Sequence, residues 1–251
     1  MKYVKLLRDG KPVWGVLKGE LVRTLAGEPF AGICYDGESL PLESCQLLAP
    51  CGDHAKLICV GKNYYDHAVE MGEGVPDRPM LFMKGANTVN HPEGPVEAPD
   101  FVQRLDYEGE LAFVIKQRAK NVPPEEFGRY ILGYTCLNDV TARDIQKGDG
   151  QWTRGKSMDG FAPIGPVLTD EVDPADLSIE TRLNGVVVQA GRTSQFMTRV
   201  PELLAFITAS MTLEPGDVVS TGTPAGVGPM KSGDVVEVEI QDIGTLRNYI
   251  R

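Results

Sequence analysis

The chain has 251 residues, 42% of them hydrophobic, and 25 basic against 35 acidic side chains give it a formal net charge of −10. A chain of this length buries a large core without disulfide or metal staples. Its negative charge opposes binding to phosphate backbones and anionic lipid, so neither nucleic acid nor a membrane surface is expected as a partner. Apolar residues come in runs of fewer than ten, too short to cross a bilayer, and the first eight residues lead directly into strand-like sequence. A cytoplasmic location is therefore expected. The five cysteines (Cys34, Cys45, Cys51, Cys59, Cys136) are odd in number and form no C-x-x-C pair, so buried free thiols are expected rather than disulfides or a zinc knuckle.

In chain order, the first fifty residues alternate short β-type runs with the turn dipeptides Asp9-Gly10, Lys18-Gly19 and Asp36-Gly37, which predicts a small antiparallel meander. Pro50, Gly52 and Asp53 break that pattern. The boundary they mark divides a small N-terminal β domain, 1–52, from a larger unit, 53–251. KLICVG then reads as a fully buried strand. Helical patterns are few: 64–71, 141–147 and 201–211, the last with Pro201 in its first turn and Leu203, Leu204 and Ile207 forming one apolar stripe. The remaining sequence is strands separated by Gly- and Pro-rich loops. The predicted fold class is mainly β with some helix (α+β), and segments 72–79 and 92–99 are expected to shape a pocket.

DYEGELAFVI, residues 106–115, places Asp106, Glu108 and Glu110 on one face of a strand. Two carboxylates roughly 7 Å apart repel each other where water is scarce, unless a cation lies between them. A solvated sheet edge is the bland alternative. Asp139, which ends an apolar strand in ILGYTCLNDVTARDIQ, adds a third acid; it serves equally well as a helix N-cap. Three carboxylates without a nearby His or Cys suit Mg²⁺ or Mn²⁺ and leave coordination sites for substrate oxygens.

Arg143 and Gln146 follow Asp139 on the same helical side. Arg143 suits either an ion pair with Asp139 or a two-pronged hold on a substrate carboxylate. Lys156 lies in a Gly-rich loop; it is an ordinary surface lysine unless buried near the acids, where it would stabilise an enolate. His67 and Glu70, three apart on a short helix between glycines, read as an imidazole oriented by a carboxylate on a movable lid, or as a surface hydrogen bond. GTPAGVG lacks the G-x-x-x-x-G-K-[ST] order, so nucleotide binding is rejected. Its amides and the Thr223 hydroxyl remain candidates for a substrate carboxylate, with a tight turn as the alternative.

Taken together, LICVGKNYYDHAVEMG, RPMLFMKG, LDYEGELAFVI, LGYTCLNDVTARDIQ, GKSMDGFAPIGP and STGTPAGVG resemble, in order and spacing, the motifs of the fumarylacetoacetate hydrolase (FAH) superfamily over roughly residues 55–251. The resemblance implies an FAH-type mixed β-roll catalytic domain, a homodimer, and Mg²⁺ or Mn²⁺ held by Glu108, Glu110 and Asp139. It places a lid dyad at His67 and Glu70, the family's lysine at Lys156, and substrate contacts at Arg143, Gln146 and Thr223. The chain lacks the further upstream metal-binding acid of the long members and so resembles the compact branch; Lys62 stands where many relatives have Arg. The leading expectation is metal-dependent C–C bond hydrolysis of a 2,4-dioxo acid of the acylpyruvate type, giving pyruvate and a carboxylic acid. Oxaloacetate decarboxylation is the close alternative, and isomerisation or decarboxylation of a 2-hydroxyhepta-2,4-diene-1,7-dioate comes third. A catalytically silent metal-binding β module is the reading from a different class. In each enzymatic case the substrate is a small anionic oxo acid.

Overall fold

The computed structural model describes residues 1–72 and 74–251. Asp9 and Gly10 take φ of 48° and 73° and close a two-residue hairpin between Lys2–Arg8 and Lys11–Lys18, the geometry whose twist matches that of paired strands. Gly19, at φ 60°, turns the chain again into Leu21–Leu25. Asp36-Gly37 departs from expectation. It lies inside the strand Tyr35–Pro41, where Gly37 takes φ 94° and the Asp36 carboxylate accepts from Thr24 Oγ1 (2.6 Å) and the Glu38 amide (2.9 Å). The dipeptide thus makes a local irregularity within a strand instead of a hairpin turn.

Lys2–Arg8 also pairs with Ala162–Thr169, so the N-terminal meander continues into the largest sheet. From there the sheet runs through Ile131–Asn138, Gly109–Ile115, Val218–Ser220, Leu57–Gly61 and the edge strand Met80–Lys84. Every residue of Gly109–Ile115 and Ile131–Asn138 is buried. Both faces of these strands are covered, which explains their near-continuous apolar sequence. Leu111, Phe113 and Ile115 pack in one core with Leu203, Leu204 and Ile207 of the helix Val200–Ser210; Ala112 and Val114 face a second core with Leu57, Leu137 and Val218. Each such leucine or phenylalanine contributes about 1.5–3 kcal/mol by leaving water. Two smaller sheets complete the fold. One joins Leu105–Tyr107 to Thr141–Ala142 and Gly228–Met230; the other holds five strands, including Val235–Ile240 and Gly244–Ile250.

This mainly β architecture, with four α-helices among the described residues, is the fold class read from the sequence. Helix boundaries differ in places. The helix expected over 141–147 is Arg143–Asp149, because Thr141 and Ala142 are first used as strand partners of Asp106 and Leu105. It ends at Gly150, which takes the left-handed conformation at φ 69°. The helices Tyr65–Glu70 and Val200–Ser210 lie within one residue of their expected bounds. All five cysteines are free; Cys51, Cys59 and Cys136 are buried as expected, whereas Cys34 is exposed and Cys45 half-buried. No helix among the described residues is long and apolar enough to cross a membrane.

Candidate active site

The run 106–115 is two strands. Leu105–Tyr107 belongs to the small sheet and Gly109–Ile115 to the large one, and the chain crosses between them at Glu108. The Glu108 amide donates to Asn138 Oδ1 (3.0 Å), and its carbonyl accepts the Asp139 amide (2.8 Å), which fixes the crossing against the end of Ile131–Asn138. Gly109 is required there, because a Cβ would lie 2.1 Å from Thr181 Oγ1. The crossing brings Glu108, Glu110 and Asp139 together, all buried, with one carboxylate oxygen from each within 4.8 Å of the others. Asp139 does not cap a helix: the N-cap of Arg143–Asp149 is Ala142.

The surrounding cations are committed. Lys156 Nζ donates to Glu108 Oε2 and Asp139 Oδ2, both at 2.7 Å. Lys156 was expected in a loop, but it is the last residue of the short helix Thr153–Lys156 and is 2% exposed. Arg143 pairs with Asp106 (Nε to Oδ2, 2.8 Å) and Glu108 (Nη2 to Oε1, 2.5 Å) and donates to Gln146 Oε1 at 2.7 Å. The Asp139 ion pair considered for Arg143 is therefore absent; Asp106 and Glu108 lie nearer to its helix. The cation on Asp139 Oδ1 is Lys84 (2.6 Å), whose ammonium also donates to the Val140 carbonyl (3.0 Å). Sequence reasoning missed Lys84. Its one signal was alternation: a lysine two residues from Phe82 on an apolar strand must point to the same side.

These contacts divide the three acids. Burial pushes Glu108 up, but Lys156 and then Arg143 outweigh it and hold the carboxyl well below the usual range. Glu110 accepts from neutral donors, Ser220 Oγ (2.5 Å) and the Gly222 amide (2.8 Å). Burial, with Asp139 and Glu108 beside it, pushes Glu110 up to about 8. Burial lowers Lys156, but Asp139 and Glu108 more than reverse this and keep it charged. Three of the four buried carboxylates are ion-paired: Asp106 to Arg104 and Arg143, Glu108 to Arg143 and Lys156, and Asp139 to Lys84 and Lys156. The fourth, Glu110, is held by Ser220 and Gly222 and is the acid least able to keep a negative charge. Three converging, desolvated carboxylates with no imidazole or thiolate among them form the donor set of a hard dication such as Mg²⁺ or Mn²⁺, and one more positive centre would lower Glu110 again.

His67, 5% exposed, lies 3.2 Å through Nδ1 from Glu70 Oε2, and Glu70 also accepts the Gly226 amide at 3.0 Å. The Tyr65–Glu70 helix is thereby tied to the GTPAGVG loop. The loop's polar groups are engaged within the protein. The Gly222 amide goes to Glu110 and the Gly226 amide to Glu70, while the Thr223 hydroxyl donates to the Gly109 carbonyl (2.9 Å) and accepts from Gln189 Nε2 (2.8 Å). These contacts support Glu110 and Glu70. A cleft of about 340 Å³ gathers eight of the nine expected residues at its wall: His67, the three acids, Arg143, Gln146, Lys156 and Thr223; Glu70 stands behind His67. Lys62, backbone φ 55°, also lines it. No described residue of 72–79 or 92–99 does, contrary to expectation, and Glu73 lies outside the described residues.

Comparison with known proteins gives the same picture. Residues 56–251 match the family described as fumarylacetoacetate hydrolase, C-terminal, and residues 1–50 match one described as Rv2993c-like, N-terminal. A protein of Archaeoglobus fulgidus is 52% identical over 216 residues, 86% of each chain. The oxaloacetate tautomerase YisK of Bacillus subtilis is 42% identical over 223 residues, 83% of this chain and 74% of its own. The crystal structure of 2-hydroxyhepta-2,4-diene-1,7-dioate isomerase from Mycobacterium marinum superposes with a TM-score of 0.93 at 40% identity, covering 100% of this chain and 98% of that one. This chain belongs to the fumarylacetoacetate hydrolase family.

Proposed function

We propose that this chain is a divalent-metal-dependent enzyme that interconverts the keto and enol forms of a short 2-oxo dicarboxylic acid of the oxaloacetate type. The observation that carries this reading is the meeting, in one cleft of about 340 Å³, of an oriented imidazole with three carboxylates ringed by buried cations. Relatives bearing the name oxaloacetate tautomerase support the substrate class. Mg²⁺ or Mn²⁺ held by Glu108, Glu110 and Asp139 would supply Lewis-acid charge toward the substrate's carboxylate and 2-oxo oxygens.

The remaining work falls to side chains. Glu70, accepting from His67 Nδ1–H, fixes the tautomer in which Nε2 is the basic nitrogen. His67 then takes the C3 proton of the keto acid and, directly or through a water, passes a proton to the 2-oxo oxygen to complete the enol; the reverse path returns it to C3. Negative charge develops on the 2-oxo oxygen as that proton leaves. Lys156 has two N–H bonds fixed on Glu108 and Asp139, which aims its third at an oxygen bound beside them. Arg143, tied by Asp106 and Gln146, holds Glu108 in place rather than gripping substrate as its main task.

Acylpyruvate hydrolysis is the second reading, favoured by the same His67–Glu70 pair acting on water. Water would add to C4, the C3–C4 bond would break, and the electron pair would leave with the pyruvate fragment as its enolate before protonation at C3. The homodimer is carried with this proposal and is checked by sedimentation. One panel tests both chemistries: loss of enol-oxaloacetate absorbance, and pyruvate release from oxaloacetate and from acetylpyruvate, with Mg²⁺, with Mn²⁺ and after chelation. Enol loss without pyruvate, abolished by His67→Ala, is the expected result. Metal-dependent pyruvate and acetate from acetylpyruvate would move the assignment to the hydrolase. Absence of metal-dependent turnover on every compound would overturn both and leave a silent metal-binding module.

A further inference from the structure

Phe82 and Trp152 stand where two hollows meet. Alternation along Met80–Lys84 puts Phe82 on the same side as Lys84, which reaches Asp139. The rings of Phe82 and Trp152 meet edge to face, with centroids 5.2 Å apart and planes at 73°. Lys156 Nζ lies 5.1 Å from the Phe82 ring centre, and the Trp152 carbonyl accepts the Lys156 amide at 2.9 Å. On its other side Trp152 lies against Gly61, where a Cβ would come within 2.7 Å of the indole. Phe82, Gly150 and Trp152 line both the cleft of about 340 Å³ and an outer groove of about 780 Å³, whose wall also includes Met80, Leu81 and Met83.

We propose that Trp152, backed by Phe82, is a specificity-determining partition: closed, the two rings limit the cleft to a short substituent on the 2-oxo acid, and without them a linear apolar chain runs into the outer groove. This rests on the 2-oxo acid reading above. Among the described residues nothing else that the two hollows share carries a bulky side chain, because Gly150 is the third shared residue. Met80, Leu81 and Met83 give the groove an apolar side on which an alkyl chain can lie, beside the polar Asn87, Gln151, Thr153 and Ser157.

The test uses unreactive N-alkyl oxamates, from methyl to hexyl, titrated calorimetrically into the 251-residue chain with Mg²⁺. Wild type should bind the methyl and ethyl compounds and lose affinity from propyl onward. In Trp152→Ala and Phe82→Ala, affinity should instead rise about fourfold per added methylene, the gain for moving a CH₂ out of water. Trp152→Phe should keep the cut-off. The readout is the ratio of hexyl to methyl Kd within each protein, so a general loss of affinity through Lys156 cancels. A wild type that binds hexyl as tightly as methyl overturns the partition even if the variants do not fold, as does one ratio shared by wild type and both alanine variants. If no oxamate binds any metal-loaded protein, the 2-oxo acid reading fails and takes the partition with it; binding of the short compounds separates the two failures.

Discussion

Replacing Lys84 with Met removes the charge while keeping most of the side-chain volume. Lys84 and Asp139 have side chains 0% and 1% exposed, and their 2.6 Å contact is one of two ammonium contacts on that carboxylate. Removing one member of a buried pair leaves the other charge poorly compensated, a cost of about 3–5 kcal/mol. The lost contact to the Val140 carbonyl adds about 1 kcal/mol. Urea unfolding in chelator should therefore show a large drop in midpoint with little change in slope. A Lys84→Met, Asp139→Asn double-mutant cycle should return a coupling of about 2 kcal/mol or more, since the pair interacts directly. A dication bound beside Asp139 replaces part of the missing positive charge, so the gap to wild type should narrow in excess Mg²⁺. The variant should also bind Mg²⁺ more tightly, about tenfold for each 1.4 kcal/mol of repulsion removed. Arg154, in an exposed ion pair with Asp149, is the control: Arg154→Gln should leave the midpoint unchanged within error. A Lys84→Met loss below about 1 kcal/mol, or a gap that Mg²⁺ leaves untouched, would refute the reasoning.

Glu110, pushed up to about 8, must lose its proton to hold a cation, so Mg²⁺ affinity should rise about tenfold per pH unit below that value and level off above it. Calorimetry in buffers of different ionisation enthalpy should detect the released proton, and Glu110→Gln should abolish the release. His91 accepts the Ala49 amide through Nδ1 (3.0 Å), and burial followed by Lys5 lowers its pKa below the ordinary 6.5. The unfolded chain then binds the proton more readily. Its contribution to stability is full above pH 6.5 and is lost as pH falls through the folded-state value; His91→Gln should flatten the pH dependence of the urea midpoint over that range. Gly109→Ala should destabilise by about 1–3 kcal/mol through overpacking on Thr181. Combining it with Thr181→Ala should recover part of the melting temperature; no recovery would mean that Val238, not Thr181, sets the limit.

The sequence by itself determined most of the strands, the Asp9-Gly10 hairpin and the His67–Glu70 pair, because each depends on local spacing: alternation along a strand, i,i+3 on a helix, φ > 0 in a turn. The family motifs added the expectation that these segments meet. Only the tertiary structure decided which charges compensate which. It broke 106–115 at Glu108, sent Arg143 to Asp106 and Glu108, and delivered Lys84 from a distant edge strand to Asp139. It also turned the amides of GTPAGVG toward Glu110 and Glu70. A buried charge takes its partner from whatever the fold brings within about 3 Å. That choice follows from the packing of sheets far apart in the chain, and periodicity along one segment holds no record of it.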